Sequence, residues 1–151
     1  MRRFVILVAD DDEDDCMLLS DAFKEKGNHV DLRFVGNGQE LLDYLHRLDG
    51  HPSDEDAAPC PDLILLDLNM PTKDGREALK EIKADPKLRR IPVVILTTSR
   101  EERDILLMFD LGASSFISKP FSFDDWRGLV EAISSYWFKF STLPPVKRKG
   151  C

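Results

Sequence analysis

The sequence predicts an α/β fold built from five βα units, a doubly wound sheet of five parallel strands with helices on both faces. Three observations carry that reading. Short apolar runs rich in Val, Ile and Leu alternate with longer amphipathic stretches along the chain. The first, third and fourth of these runs are apolar almost throughout, as strands covered on both faces are. Alternating βα units join parallel strands through right-handed crossovers, which distributes the helices over both sides.

Strand 4–9 reads FVILVA and runs straight into six acids, Asp10 to Asp15. Two arginines ahead of it give the start of a secretory leader, but the apolar run is too short and acids stand where a small-residue cleavage site belongs. A helix over 14–26 ends at Gly27, a C-cap signal. Strand 30–35, VDLRFV, alternates apolar and polar residues and reads as an edge. A helix over 39–48 ends near Gly50, and the stretch 50–61, GHPSDEDAAPCP, reads as a solvated loop. Strand 63–66 precedes a helix over 76–84 that stops before Pro86. Strand 93–96 precedes a helix over 102–111 that stops at Gly112. After strand 115–118, a last helix runs from 124 to about 138, with Trp126, Leu129, Val130, Ile133 and Trp137 on one face as a core stripe.

The bulk properties bound the function. A chain of 151 residues, 42% hydrophobic and 32% charged, reads as one domain over 1–140 with a loose tail over 141–151 and no output domain. A net charge of −7 argues against nucleic-acid or membrane partners. No apolar run approaches the ~20 residues of a membrane span. Cys16, Cys60 and Cys151 are odd in number and lack metal-ligand spacing, which reads as free thiols in a cytoplasmic protein.

The polar residues gather at the carboxyl ends of the strands: Asp10 and Asp11 after the first, Asp67 through Asn69 to Pro71 after the third, Thr97, Thr98 and Ser99 at the fourth, Lys119 and Pro120 after the fifth. That edge is where open α/β sheets bind ligands, at the point where the strand order reverses. In the order 2-1-3-4-5 the reversal falls between strands one and three, the strands that carry the acids. Two carboxylates ~5 Å apart repel by roughly 3 kcal/mol at an effective dielectric of about 20. Convergence of Asp10, Asp11 and Asp67 therefore calls for a cation. An all-oxygen set with no histidine or cysteine beside it favours Mg²⁺, with Mn²⁺ or Ca²⁺ as substitutes. Mg²⁺ commonly pairs with phosphate, and Lys119 and Thr97 then supply a cation and a hydroxyl donor for a phosphoryl group.

Asp12, Glu13, Asp14 and Asp15 need no chemical role, since acids at a helix N-terminus favour its dipole and cap its first turn. A calcium loop is excluded, because Asp15 stands where that loop needs glycine and Asp21 where it needs glutamate. His29, His46 and His51 show no partner spacing.

Five features taken together, Asp10-Asp11, DLILLDLNMPTKDG around Asp67, ILTTS with Thr97, GASSFISKPF with Lys119, and their placement at successive strand ends, resemble the receiver domain of bacterial two-component response regulators. The resemblance runs from Phe4 to about Ser135. It implies the flavodoxin-like sheet order 2-1-3-4-5, with Asp67 as phosphoacceptor for a sensor histidine kinase or phosphotransfer protein. It further implies metal binding by Asp10, Asp11, Asp67 and the backbone carbonyl of Asn69, and phosphoryl contacts from Thr97 and Lys119. Thr97 and Phe116 would form a switch, with phenylalanine where many relatives carry tyrosine, and Lys119-Pro120 would be a cis peptide, which only proline makes inexpensive. NGQELLDYL, the long loop before strand three and the final YWF are similar to single-domain receivers paired with bacterial phytochromes. That subfamily implies a homodimer through the face of helix four, strand five and helix five, and the expectation of no output domain calls for a downstream protein partner.

Two other classes use similar residues. A Mg²⁺-dependent phosphohydrolase with an aspartyl-phosphate intermediate needs a second acid two positions after its nucleophile, and Asn69 stands there. An interaction module that is never phosphorylated has no need of the intact set Asp10, Asp11, Asp67, Thr97 and Lys119. The reading is thus a signalling phosphoacceptor that catalyses only its own phosphorylation and dephosphorylation, not an enzyme acting on other molecules.

Overall fold

A computed structural model describes residues 3–27, 29–47 and 59–145. The elements are β1 (Phe4–Ala9), α1 (Glu13–Lys26), β2 (Val30–Val35), α2 (Gly38–His46), β3 (Leu63–Leu66), α3 (Gly75–Ala84), β4 (Val93–Thr97), α4 (Glu102–Asp110), β5 (Ser115–Ser118) and α5 (Phe123–Ile133). The strands form one parallel sheet in the order β2-β1-β3-β4-β5. The fold class, the strand order and the edge position of β2 are as the sequence predicts.

Strand alternation divides the core in two. Leu7, Ala9, Ile64, Leu66, Val93 and Ile95 face α2, α3 and Met108 of α4. Ile6, Val8, Leu63, Leu65, Val94 and Leu96 face α1 and α5, against Leu19, Phe23, Trp126, Val130 and Ile133. The stripe on the last helix is core, with Leu129 and Trp137 packed at its margin. Aspartate, asparagine or serine side chains cap four helices: Asp12 for α1, Asn37 for α2, Asp74 for α3 and Ser122 for α5. α4 has no side-chain cap and buries only Asp104 and Met108.

Three expectations are corrected. The last helix does not run unbroken to Phe138: α5 gives way after Ile133 to a π-helix, Ser134–Phe140, whose Phe138 stacks on Phe4 with ring centroids 4.2 Å apart. The wider π turn carries that ring toward the start of β1. Cys16 is a free thiol, but Cys60 is disulfide-bonded, because spacing along a chain says nothing of which sulfurs a fold brings together. No peptide bond among the described residues is cis, so Lys119-Pro120 is trans, the form an X–Pro bond prefers by about 0.5–1 kcal/mol. Most of the loop 50–61, Gly50 as a cap, Cys151 and the tail from 146 lie outside the described residues.

Candidate functional site

The sheet ladder runs one residue past three strands, and that extra step fixes the site. The amide of Asp10 donates to the Val35 carbonyl at 3.0 Å, that of Asp67 to Ala9 at 2.9 Å and that of Lys119 to Thr97 at 2.9 Å. Each polar residue is therefore held by the same bonds that hold the core strands, and its side chain projects at the sheet's carboxyl edge.

Asp10, Asp11 and Asp67 each offer a carboxylate oxygen, and these oxygens lie within 4.8 Å of one another. Asp10 and Asp67 are buried and Asp11 is exposed. An ion with oxygen ligands at about 2.1 to 2.5 Å spans roughly 4 to 5 Å between opposite ligands, so the three fit one hard divalent cation. The donor chemistry fits as well, being oxygen only.

Lys119 faces this cluster. Its Nζ lies 2.8 Å from Oδ2 of Asp10, 2.7 Å from Oδ2 of Asp15 and 3.0 Å from Oδ2 of Asp67, one carboxylate for each ammonium proton. Burial pushes the Lys119 pKa down, but the bonds to Asp10, Asp15 and Asp67 outweigh it and hold the pKa above the usual lysine range. Burial raises Asp10 to about 6, against the pull of Lys119. Three carboxylates share Lys119 and the Asp11 carboxylate stands beside them without it, and the surplus negative charge is what a divalent cation would neutralise.

Thr97 is wholly buried, and its hydroxyl donates to Oδ1 of Asp67 at 2.7 Å. The Asn69 amide donates to the same oxygen at 3.3 Å, while the Asn69 side chain is exposed. Phe116, opposite Ile95 in the β4–β5 ladder, is half-buried against the core that α2, α3 and α4 cover.

Sequence reasoning misses two residues of this region. It gives Asp15 only a place at the helix N-terminus, yet the Asp15 carboxylate binds Lys119. Asp12 alone of the four acids makes the cap bond, accepting from the Asp15 amide at 3.1 Å. Asp104 accepts a fork from Arg76, at 2.9 Å from Nε and 2.8 Å from Nη2, and the Ser99 hydroxyl at 2.7 Å. Arg76 holds the Asp104 carboxyl below the usual carboxylate range. One signal finds both: each acid lies on the apolar stripe of its helix, Asp15 four residues before Leu19 and Asp104 four before Met108, both buried leucine or methionine positions.

A family model described as the response regulator receiver domain matches residues 6–131. The chain is a response regulator receiver domain. It is 37% identical over 140 residues to response regulator Rcp1 of Synechocystis sp. (strain ATCC 27184 / PCC 6803 / Kazusa), covering 93% of this chain and 92% of that one. It resembles the crystal structure of the phosphorylated cyanobacterial phytochrome response regulator RcpA, with a TM-score of 0.84 and 37% identity over 95% of this chain and 99% of that one. It also resembles the Mn²⁺-bound form of Rcp1, with a TM-score of 0.82 and 37% identity over 94% of this chain and 99% of that one. The span matched to the receiver family contains Asp10, Asp11, Asp15, Asp67, Thr97, Phe116 and Lys119. As a receiver it is a signalling protein with an acidic cluster suited to a divalent metal. Among the described residues no helix is long and apolar enough to cross a membrane.

Proposed function

We propose that the receiver takes a phosphoryl group from a phosphohistidine of a sensor histidine kinase, or of a phosphotransfer protein, onto Asp67. One observation carries this: the Asp67 carboxylate is held on one oxygen by the Thr97 hydroxyl and on the other by the Lys119 ammonium, at the mouth of an oxygen-only cation site. A carboxylate oxygen of Asp67 attacks phosphorus in line with the leaving imidazole nitrogen. The P–N bond breaks as the P–O bond forms, and the product is an acyl phosphate. Lys119 and Thr97 then contact phosphoryl oxygens, so the chain contributes mostly position and fixed charge. Asp10, Asp11, Asp67 and the carbonyl of Asn69 would hold Mg²⁺, which when bound offsets charge on those oxygens. Water later cleaves the acyl phosphate and resets the domain.

The new dianion draws Thr97 and Lys119 toward it, and Phe116 fills the space that Thr97 leaves. The surface of α4, β5 and α5 changes with it and is read by a downstream protein. Leu106 and Phe109 of α4, 64% and 50% exposed, support a second copy of the chain as one partner on that face. The phytochrome relatives support a light-sensing kinase as donor, and a cytoplasmic setting belongs to the same reading. Acetyl phosphate with Mg²⁺ tests it: intact-protein mass spectrometry should find one phosphoryl group per chain and none in Asp67→Asn. Labelling of that variant to the wild-type level sinks the assignment, and repeated turnover of a general phosphate ester would favour a phosphohydrolase.

A further inference from the structure

We propose that Asp15 is a positioning residue for phosphoryl transfer, acting through Lys119; the inference rests on Asp67 being the phosphoacceptor. The Lys119 ammonium has three protons and three carboxylate partners, Asp10, Asp15 and Asp67. Two of those partners have other work in the reaction. Asp10 belongs to the cation cluster, and Asp67 becomes the acyl phosphate. Asp15 lies outside that cluster and stands on a different element, the first turn of α1. Its contact with Nζ, 2.7 Å, is the shortest of the three. It is therefore the one partner that stays with Lys119 as a phosphoryl group arrives.

The physical need for such a partner lies in the lysine itself. A flexible four-carbon stem does not hold an ammonium in one place, unlike the planar fork of an arginine. Lys119 has its amide fixed to Thr97, but its Nζ position depends on what it binds. A carboxylate on α1 pins the far end of the side chain, so the charge is already in place when the oxygens that need it appear. The placement of Asp15 agrees: α1 turns the stripe of Leu19 and Ala22 toward the sheet, and Asp15 is the member of that stripe above the strand ends.

The test is a double-mutant cycle on the full chain, with labelling by acetyl phosphate at saturating Mg²⁺ as the rate. Asp15→Ala should slow labelling about tenfold, Asp15→Asn should slow it less, and Asp15→Glu should keep more of the rate than Asp15→Ala. In a Lys119→Ala background, Asp15→Ala should change the rate by less than twofold, because the partner it acts through is gone. A purely structural role slows both backgrounds alike and overturns the proposal, as does a wild-type rate in Asp15→Ala. Asp15→Asn, nearly the same shape, serves if the alanine variant does not fold. Failure of the wild type to label at all removes the phosphoacceptor reading instead, so the two failures are told apart.

Discussion

The Thr97 hydroxyl donates to Oδ1 of Asp67 across 2.7 Å, linking the end of β4 to the residue after β3 in a place where both side chains are buried. The bond fixes the rotamer of Asp67 and commits the only proton Thr97 has to give. Under the proposed function, a phosphoryl group on Asp67 would change the partner of Thr97, and a local covalent event would then be felt at β4 and at α4 beyond it.

Thr97→Val keeps the shape and removes that proton. A hydrogen bond to a charged group is worth ~1.5–3 kcal/mol, so labelling of Asp67 should slow by about tenfold or more, while Thr97→Ser stays near wild type. The rate of acetyl phosphate labelling measures it, and equal rates for the valine and serine variants would contradict the role of the hydroxyl.

Metal affinity should depend on pH through Asp10. Burial raises its carboxyl to about 6, above the ~3.9 of an unfolded aspartate. The native, metal-free protein thus binds more protons than the unfolded chain between those values, and the contribution of Asp10 to stability falls as pH rises through that window. A cation needs the ionised form, so its affinity should climb about fivefold from pH 5 to 6, reach about tenfold by pH 7 and level off above it. Titration calorimetry with Mn²⁺ at pH 5, 6, 7 and 8 reads this directly, and a flat profile would count against it.

Arg76→Lys should loosen the attachment of α4. The Arg76 fork makes two bonds to the buried carboxylate of Asp104, and an ammonium cannot reproduce both. A loss of about 1–2 kcal/mol is expected in urea unfolding. Because Asp104 is held low, the wild-type advantage should be complete above pH ~4 and fade as pH falls below it.

Two glycines should respond in opposite directions. A Cβ on Gly75 would sit 2.2 Å from the carbonyl oxygen of Asp67, so Gly75→Ala forces backbone apart and should cost several kcal/mol and disturb labelling. Gly128, exposed in the middle of α5, has nothing within 4 Å, and Gly128→Ala should raise stability by about 1 kcal/mol. Thermal unfolding of both variants gives the comparison.

The sheet is legible in the sequence because its strands are short apolar runs set between helix stop signals such as Gly27 and Gly112. The convergence of Asp10, Asp11, Asp67, Thr97 and Lys119 is legible because each stands at a strand end, and parallel strands bring their ends together. Asp15 and Asp104 are missed because a charged residue at a helix start already has a sufficient local explanation, and only its phase against Leu19 or Met108 shows that it points inward. The trans Lys119-Pro120 bond is misread from the resemblance: no local pattern in SKPF sets the isomer. The break after Ile133 is invisible because the apolar spacing runs through it, and a π turn alters the pitch without altering composition.

α4 is fastened to the body by little more than one methionine and one ion pair. Small fastening means a small free-energy gap between the seat it occupies and a neighbouring one. An effector moves such a balance only by its preference between the two seats, so under the proposed function a modest preference at Asp67 would suffice here, whereas the same signal would leave the four-residue anchorage of α3 in place. Under the proposed function, a message from Asp67 would leave the chain by its weakest seam.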